Sequence, residues 1–357
     1  MFHSTTITNF LFELPGVQLL DVRTPAEFVH GHIPGARNLP LFSNEERVLV
    51  GTTYKQQGKE PAILLGFDLT GAKWSHFIRQ ALEIAPGKKV AVHCWRGGMR
   101  SAAMAWALDL YGFDVYVIAG GYKSYRRWVY QQFERKYRIR LVGGMTGSGK
   151  TKILHELKDR GEQILDLEGL ACHQGSVYGS MNRHEQPSQE QFENDLGLQL
   201  SRLEEDKILW IEDESINIGR CQIPKALWNQ MLGADLVNIQ VPAEFRVPEL
   251  VREYGSLDKN FLIDCTQKIR KRLGPEQCKS AVTAISEDRM EDFVRQVLIY
   301  YDKTYTSGLH TRSPDQVTTI EAISANQADN AIKVLAAVRT QEQYIIPNQS
   351  SSSITIS

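Results

Sequence analysis

Short apolar runs alternate with stretches of helical spacing along most of the chain. Val17–Val22 is apolar and ends at the polar turn Arg23-Thr24-Pro25, where Pro25 suits the first turn of a short helix. Val90-Ala91-Val92, inside Gly87–Cys94, predicts a short buried strand. Ser101–Tyr111 then carries apolar residues at helical spacing and stops at Gly112, a C-terminal cap. Val115–Ile118 predicts another strand, closed by Gly120-Gly121. The alternation resumes near Ile139 and runs to about Val338. Strands alternating with helices predict an α/β fold with parallel sheets in both halves. Ser43–Gly71, with glycines at 51, 58, 66 and 71, reads as an insertion of unassigned structure.

Between the halves, Tyr122–Arg140 changes in composition. Lys123, Arg126, Arg127, Arg135, Lys136, Arg138 and Arg140 interleave with six aromatic residues, and no proline or glycine follows Gly121. A helix is expected over most of it. The division follows as residues 1–125, a basic-aromatic linker helix at 126–138, a second domain at 139–340 and a disordered tail at 341–357. The tail is expected because Asn348–Ser357 is rich in serine and has no core pattern.

Bulk properties narrow the classes. A length of 357 residues suits two domains, and 42% hydrophobic with 23% charged residues is the balance of a globular protein. The formal net charge of −1 means that any nucleic-acid binding must come from a local patch. The five cysteines, Cys94, Cys172, Cys221, Cys265 and Cys278, form no C-x-x-C pair, so neither a disulfide framework nor a zinc site is expected. No apolar run approaches a membrane span, and no export signal is read at the N-terminus. A reducing cytoplasm is the expected setting.

Two loops carry chemistry. Gly144-Met145-Thr146-Gly147-Ser148-Gly149-Lys150-Thr151 matches G-x-x-x-x-G-K-[ST], which chance yields in roughly one chain in a hundred of this length. It lies between an apolar strand, Ile139–Val142, and a helix marked by Ile153, Leu154 and Leu157. Such a loop turns backbone N–H groups on a phosphate at a positive helix end. Lys150 adds a mobile charge, and the Thr151 hydroxyl is placed for Mg²⁺. Ile208–Ile211 predicts a second buried strand followed by Glu212-Asp213-Glu214, one of which could hold Mg²⁺, directly or through water, with Glu212 and Asp213 taken as the metal or base partners. The phosphate ligand is left open between a nucleotide and another diphosphate.

The second loop is Cys94-Trp95-Arg96-Gly97-Gly98-Met99-Arg100, between a strand and a helix. Unpaired N–H groups and the helix end should lower the thiol pKa. Arg96 and Arg100 could contact a phosphate or sulfate group, and Gly97 and Gly98 permit the tight turn. The competing reading is a small buried hydrophobe. The other four cysteines lack this setting and read as structural. His93 should point to the opposite face of its strand and pack there.

Several separated runs resemble known families. Leu20–Phe28, Gly31–Ala36, Cys94–Arg100 and Gly120-Gly121-Tyr122 are similar to the signatures of the rhodanese family. The resemblance implies a cysteine that carries sulfur or selenium as a persulfide or perselenide. A rhodanese-like unit followed by a P-loop NTPase-like unit is a narrower match. The chain to about residue 340 resembles the tRNA 2-selenouridine synthase family, on Cys94–Ser101, Gly144–Thr151, Asp166–Ala171 with His173 and Gly175-Ser176, Gln186–Gln189 with Phe192-Glu193, and Ile211–Ser215 with Ile218-Gly219.

That resemblance implies a transferase acting on the wobble 2-thiouridine of tRNA. It implies selenophosphate as selenium donor and geranyl diphosphate as donor of a group first attached to sulfur, with no tightly bound cofactor. Partners would be the tRNA anticodon loop and an enzyme that supplies selenophosphate. Arginine and aromatic residues suit unstacked bases and phosphates, so Lys123, Arg126, Arg127, Arg135 and Lys136 become candidate tRNA contacts, against an amphipathic helix with a solvated basic face. Lys268, Arg270, Lys271 and Arg272 form a second basic run, better read as a solvated helix face. The alternatives are an ATP-coupled tRNA sulfurtransferase and a non-catalytic redox or phosphate sensor.

Overall fold

The computed structural model describes residues 2–179, 185–322 and 326–345, with side chains to 338. Contacts divide it into two compact units. One comprises residues 1–134 and 188–201; the other comprises 135–187 and 202 onward.

The first unit is built on a parallel sheet of β1 (His3–Thr5), β2 (Gln18–Asp21), β3 (Arg37–Asn38), β4 (Lys89–His93) and β5 (Asp114–Ile118). Their spatial order is β1-β5-β4-β2-β3. Central β4 buries Val90, Ala91, Val92 and His93, as a strand covered on both faces must. Leu20, Val92, Met104, Leu108 and Val115 share its core. Pro25 opens the helix Pro25–His30, fixed by a Thr24–Glu27 capping box.

The unassigned stretch after Ser43 is a pair of helices, Asn44–Gln57 and Lys59–Thr70. Another capping box, Ser43 with Glu46, starts the first helix, and Gly58 at φ +99° makes the corner. Apolar residues on this pair face outward, which removes the buried stripe that periodicity detects. The basic-aromatic stretch forms the helix Gly121–Glu134, which belongs to the first unit. It packs on helix Gln189–Leu200, drawn from the middle of the sequence expected to form the second domain. A Cβ at Gly197 would stand 2.9 Å from Val129, so the small residue sets the approach of these helices.

The second unit has a parallel sheet of β6 (Arg138–Gly144), β7 (Gln163–Leu165), β8 (Ile208–Glu212), β11 (Asp235–Gln240) and β12 (Val317–Glu321), with a small hairpin of β9 (Asn217–Ile218) and β10 (Cys221–Gln222). The spatial order of the sheet is β12-β11-β6-β8-β7. The fold class is therefore α/β, a parallel-sheet unit followed by a P-loop-bearing parallel-sheet unit. Strand–helix alternation does not continue unbroken to Val338. Helices Ala243–Gly255, Lys259–Lys268, Arg270–Leu273, Pro275–Ser286 and Met290–Leu309 follow β11 directly. They bury their apolar faces on one another around Tyr254, Leu262 and Phe293 instead of on a further strand. Helix Gln327–Ile345 ends the described chain and takes in residues 341–345, so the first five residues of the expected tail are helical; the remainder of that tail, 346–357, lies outside the described residues. All five cysteines are free. Among the described residues no helix is long and apolar enough to cross a membrane.

Candidate functional site

In the first unit, β4 delivers Cys94 to the carboxyl edge of the sheet, and helix Met99–Leu110 starts five residues later. Cys94 is buried. Its Sγ accepts the Gly98 N–H at 3.3 Å and lies 3.3 Å from the Ser101 hydroxyl, which also reaches the Gly98 carbonyl at 3.0 Å. Burial opposes ionisation of the thiol. The hydrogen bonds from Ser101 and from loop amides, with the charge of Arg100, outweigh it and hold the thiol below its ordinary range.

The loop is braced from behind. Tyr122 and Lys123 donate their N–H groups to the carbonyls of Cys94 and Trp95, each at 2.9 Å. Gly121, at φ +57°, makes this possible, since a Cβ there would stand 2.3 Å from the Cys94 carbonyl oxygen. Gly97 and Gly98 lie between, with Gly97 at φ +66°. Trp95 is partly exposed, its ring 5.7 Å from that of Tyr122. Arg96 is exposed and Met99 lies on the surface. Arg100 turns to Glu27, with hydrogen bonds of 2.8 and 3.3 Å. Of the two loop arginines, only Arg96 is therefore without a carboxylate partner among the described residues.

Beneath the loop is a polar layer that sequence reading did not anticipate. Arg23 and Asp21 form a fully buried ion pair at 2.6 Å. Arg23 also donates to the Gly31 carbonyl at 2.7 Å and lies 3.8 Å from the centre of the Tyr122 ring. His93 is buried beside them, its Nε2 3.7 Å from Asp21. Burial lowers the His93 pKa despite the Asp21 charge, keeping the ring neutral in a packing position.

The proposed tRNA-contact residues separate into groups. Arg126 is committed to helix Gln189–Leu200, where it pairs with Glu193 and donates to Asn194 at 2.7 Å and to the Glu190 carbonyl at 3.2 Å. Tyr122 and Tyr125 are buried and bonded to the same helix. Lys123 and Arg127 are exposed on the first unit. In the second unit Lys136 is exposed, while Arg135 pairs with Glu205 at 2.8 Å. Lys268, Arg270, Lys271 and Arg272 are exposed.

In the second unit, β6 ends at Gly144 and helix Lys150–Asp159 begins at Lys150, with Gly144, Gly147 and Gly149 all at positive φ. Lys150 Nζ rests on the Gly144 carbonyl at 3.2 Å. The Ser148 hydroxyl is buried with no hydrogen-bond partner. Buried Arg246 clamps the loop from outside: it donates to the Thr146 carbonyl at 3.0 Å and pairs with Asp302 at 2.8 Å. The loop opens on a cavity of about 960 Å³, walled in part by Leu250, Tyr254, Tyr301 and Tyr305.

Three carboxylates meet across this cavity. Adjacent pairing of β6 and β8 puts Glu212 beside the phosphate loop. Glu168, at the start of helix Leu167–Ala171, and Glu214 join it, each offering an oxygen within 4.8 Å of the others. Thr151 donates its hydroxyl to Glu168 at 3.1 Å. Both Glu212 oxygens are buried without a partner. Burial raises all three carboxyls against the pull of Lys150; repulsion within the cluster adds to it at Glu168 and Glu212, and the charge of Asp213 adds to it at Glu214, with Glu168 pushed up to about 8. Hard oxygen donors with orphaned lone pairs are the ligand set of a divalent cation such as Mg²⁺. Asp213 does not join them, because its carboxylate takes Arg312 at 2.8 Å. Glu214 was among the three acidic residues read at the end of β8, and Glu168 is the partner that a reading confined to that strand end missed.

Comparison with known proteins bears on both units. Residues 9–127 match the family described as the rhodanese-like domain, and residues 137–333 match the tRNA 2-selenouridine synthase AAA domain. Curated relatives carry the name tRNA 2-selenouridine synthase. One from Nitrosomonas europaea is 38% identical over 72% of this chain and 68% of its own length. One from Nitrosomonas eutropha is 35% identical over 83% of this chain and 75% of its own. One from Shewanella woodyi is 35% identical over 77% and 80%. With a thiol loop in a rhodanese-like unit and a phosphate loop in the matching second unit, the chain belongs to the tRNA 2-selenouridine synthase family.

Proposed function

We propose that this protein is a tRNA-modifying transferase that replaces sulfur by selenium at C2 of the wobble 2-thiouridine, with selenophosphate as donor. The base is first S-geranylated from geranyl diphosphate. The observation that carries this reading is a pair of different loops, each within its own unit, whose geometry suits an anion. One is an amide-lined thiol; the other is a phosphate loop facing three carboxylates.

The chemistry needs both. A thiocarbonyl sulfur is a poor leaving group. Alkylating it turns C2 into a thioimidate-like carbon that a selenium nucleophile attacks. The C–Se bond forms, the C–S bond breaks, and geranylthiol leaves with one proton. Selenium in selenophosphate is already at the selenide level; water adds to phosphorus, the P–Se bond breaks and phosphate departs, so the exchange is redox neutral.

Lys150 and the amides around Gly147–Thr151 would take the diphosphate of the allylic donor, stabilising it as it leaves. Leu250, Tyr254 and Tyr305 offer the geranyl chain an apolar wall. Glu168, Glu212 and Glu214 would hold Mg²⁺, which supplies charge for the same leaving group. We assign selenium handling to Cys94, with Arg96 on the phosphate portion of the donor; Arg100 serves through Glu27 to position the loop. Lys123, Arg127 and Lys136 remain as tRNA phosphate contacts.

Nucleoside analysis of tRNA from cells lacking this protein tests the reading. Loss of 2-selenouridine with retention of 2-thiouridine is expected. Persistence of 2-selenouridine at the normal level would overturn it. Phosphate release from ATP by the purified protein, without geranyl transfer, would favour the ATP-coupled alternative.

A further inference from the structure

The first unit contains a second cavity, of about 840 Å³, that the thiol chemistry alone does not use. Helices Asn44–Gln57 and Lys59–Thr70 form one side, and the first turns of helix Met99–Leu110 form the other. Phe42, Val48, Tyr54, Phe67, Trp74 and Met99 line it. Several of these side chains are open to solvent, Val48 at 67% and Phe67 at 60% exposure. The helix pair is well anchored, by the Ser43–Glu46 capping box and an ion pair from Lys73 to Glu46. Its outward apolar face is therefore a built feature, of the kind that marks a binding groove.

Two further observations say what fits. Cations ring the groove: Arg47, Lys55 and Lys59 line it and have no carboxylate partner among the described residues, and Arg100 stands at the inner end. A hydrocarbon floor with a cationic rim suits an apolar chain borne by a polyanion. The groove also shares a wall with the thiol site. Met99, Arg100, Ala102 and Ala103 face the groove, while Gly98 and Ser101 of the same turn contact the Cys94 sulfur.

We infer that this groove holds the hydrocarbon chain of an S-alkylated tRNA base, presenting its C2 to the Cys94 loop and keeping the departing thiol in place during exchange. The inference rests on the S-geranyl reading above, and it places a chain site in the first unit, separate from the cavity at the phosphate loop.

The test uses the full chain and anticodon stem-loop RNAs bearing S-methyl or S-geranyl 2-thiouridine. Wild-type protein should bind the S-geranyl RNA about tenfold tighter or more than the S-methyl RNA, from the added apolar burial. Val48→Glu and Phe67→Glu, both at exposed positions, should erase that gain and leave S-methyl binding within about twofold. Leu110→Glu, at another exposed apolar position outside the groove, should keep it. Unchanged thermal transitions certify folding. Equal binding of the two RNAs by wild type, or a full gain retained in both groove variants, would overturn the groove assignment. Selenation of the S-geranyl RNA is followed in the same samples. If wild type cannot carry it out, the proposed function fails and the groove's role with it; if it can, and the gain is absent, the groove alone is wrong.

Discussion

Replacing Glu168 by Gln removes one titrating group from the carboxylate cluster and keeps its shape. Burial and the neighbouring Glu214 push Glu168 from an ordinary 4.5 up to about 8. The unfolded chain releases this proton near the ordinary value, whereas the folded chain keeps it until about pH 8. Between those limits the folded state binds more protons, so stability falls as pH rises. One proton corresponds to about 1.4 kcal/mol per pH unit, so this group removes about 2–3 kcal/mol between about pH 6 and about pH 8. For a unit of this size that is a lowering of about 5–10 °C in the transition. Glu168→Gln stays neutral in both states. It should match wild type near the acid end, exceed it by that amount near pH 8, and show a pH slope shallower by one proton. Mg²⁺ should reverse the sign. Bound at the cluster it should stabilise wild type by drawing the carboxyls into their ionised form, and the variant should lose most of that gain. Thermal unfolding followed by circular dichroism, with and without Mg²⁺, reads both effects. A wild-type pH slope in the variant, or an undiminished Mg²⁺ shift, would refute the reasoning.

Three other changes probe the rest of the structure. Ser101→Ala removes a hydrogen bond from the Cys94 thiol and should raise its pKa, read as an upward move of the pH midpoint of alkylation at Cys94; an unmoved midpoint would contradict the geometry. Arg23→Leu leaves Asp21 buried without its partner and should cost about 3–5 kcal/mol in denaturant unfolding, with part restored by adding Asp21→Asn; a smaller loss than about 1 kcal/mol would show that the layer beneath the loop is not rigid. Reversing charge at Lys123 and Arg127 together should weaken tRNA binding and lower the salt slope by about two, since both are exposed; an unchanged slope would remove them from the tRNA path.

The parts of the molecule legible in sequence were those where local chemistry leaves few choices. The glycines of Gly144–Thr151 and the apolar strand before them announce a phosphate loop. Val90–Val92 and the Gly97-Gly98 pair place Cys94 between a strand and a helix. Long-range partnerships were not legible. Arg126 reads as a phosphate contact until helix Gln189–Leu200, more than sixty positions on by sequence number, supplies Glu193 and Asn194 to neutralise it. Asp213 reads as well as Glu212 at the end of β8, and only Arg312 decides that it turns away. Glu168 had one local signal, its place beside Asp166 at a helix start, but its approach to Glu212 comes from sheet order. The helices after Ser43 escaped because their apolar residues face outward, and that same property defines the groove.

The central claim is that one chain performs two separable half-reactions, at Cys94 and at the phosphate loop. Purified Cys94→Ser and Lys150→Ala proteins, given thiolated anticodon stem-loop RNA, geranyl diphosphate and selenophosphate, test it by nucleoside mass spectrometry. Cys94→Ser should stop at the S-geranyl base. Lys150→Ala should fail to geranylate, yet convert RNA that is already geranylated into the 2-seleno product. Formation of 2-selenouridine by Cys94→Ser at the wild-type rate, or normal geranylation by Lys150→Ala, would contradict the account.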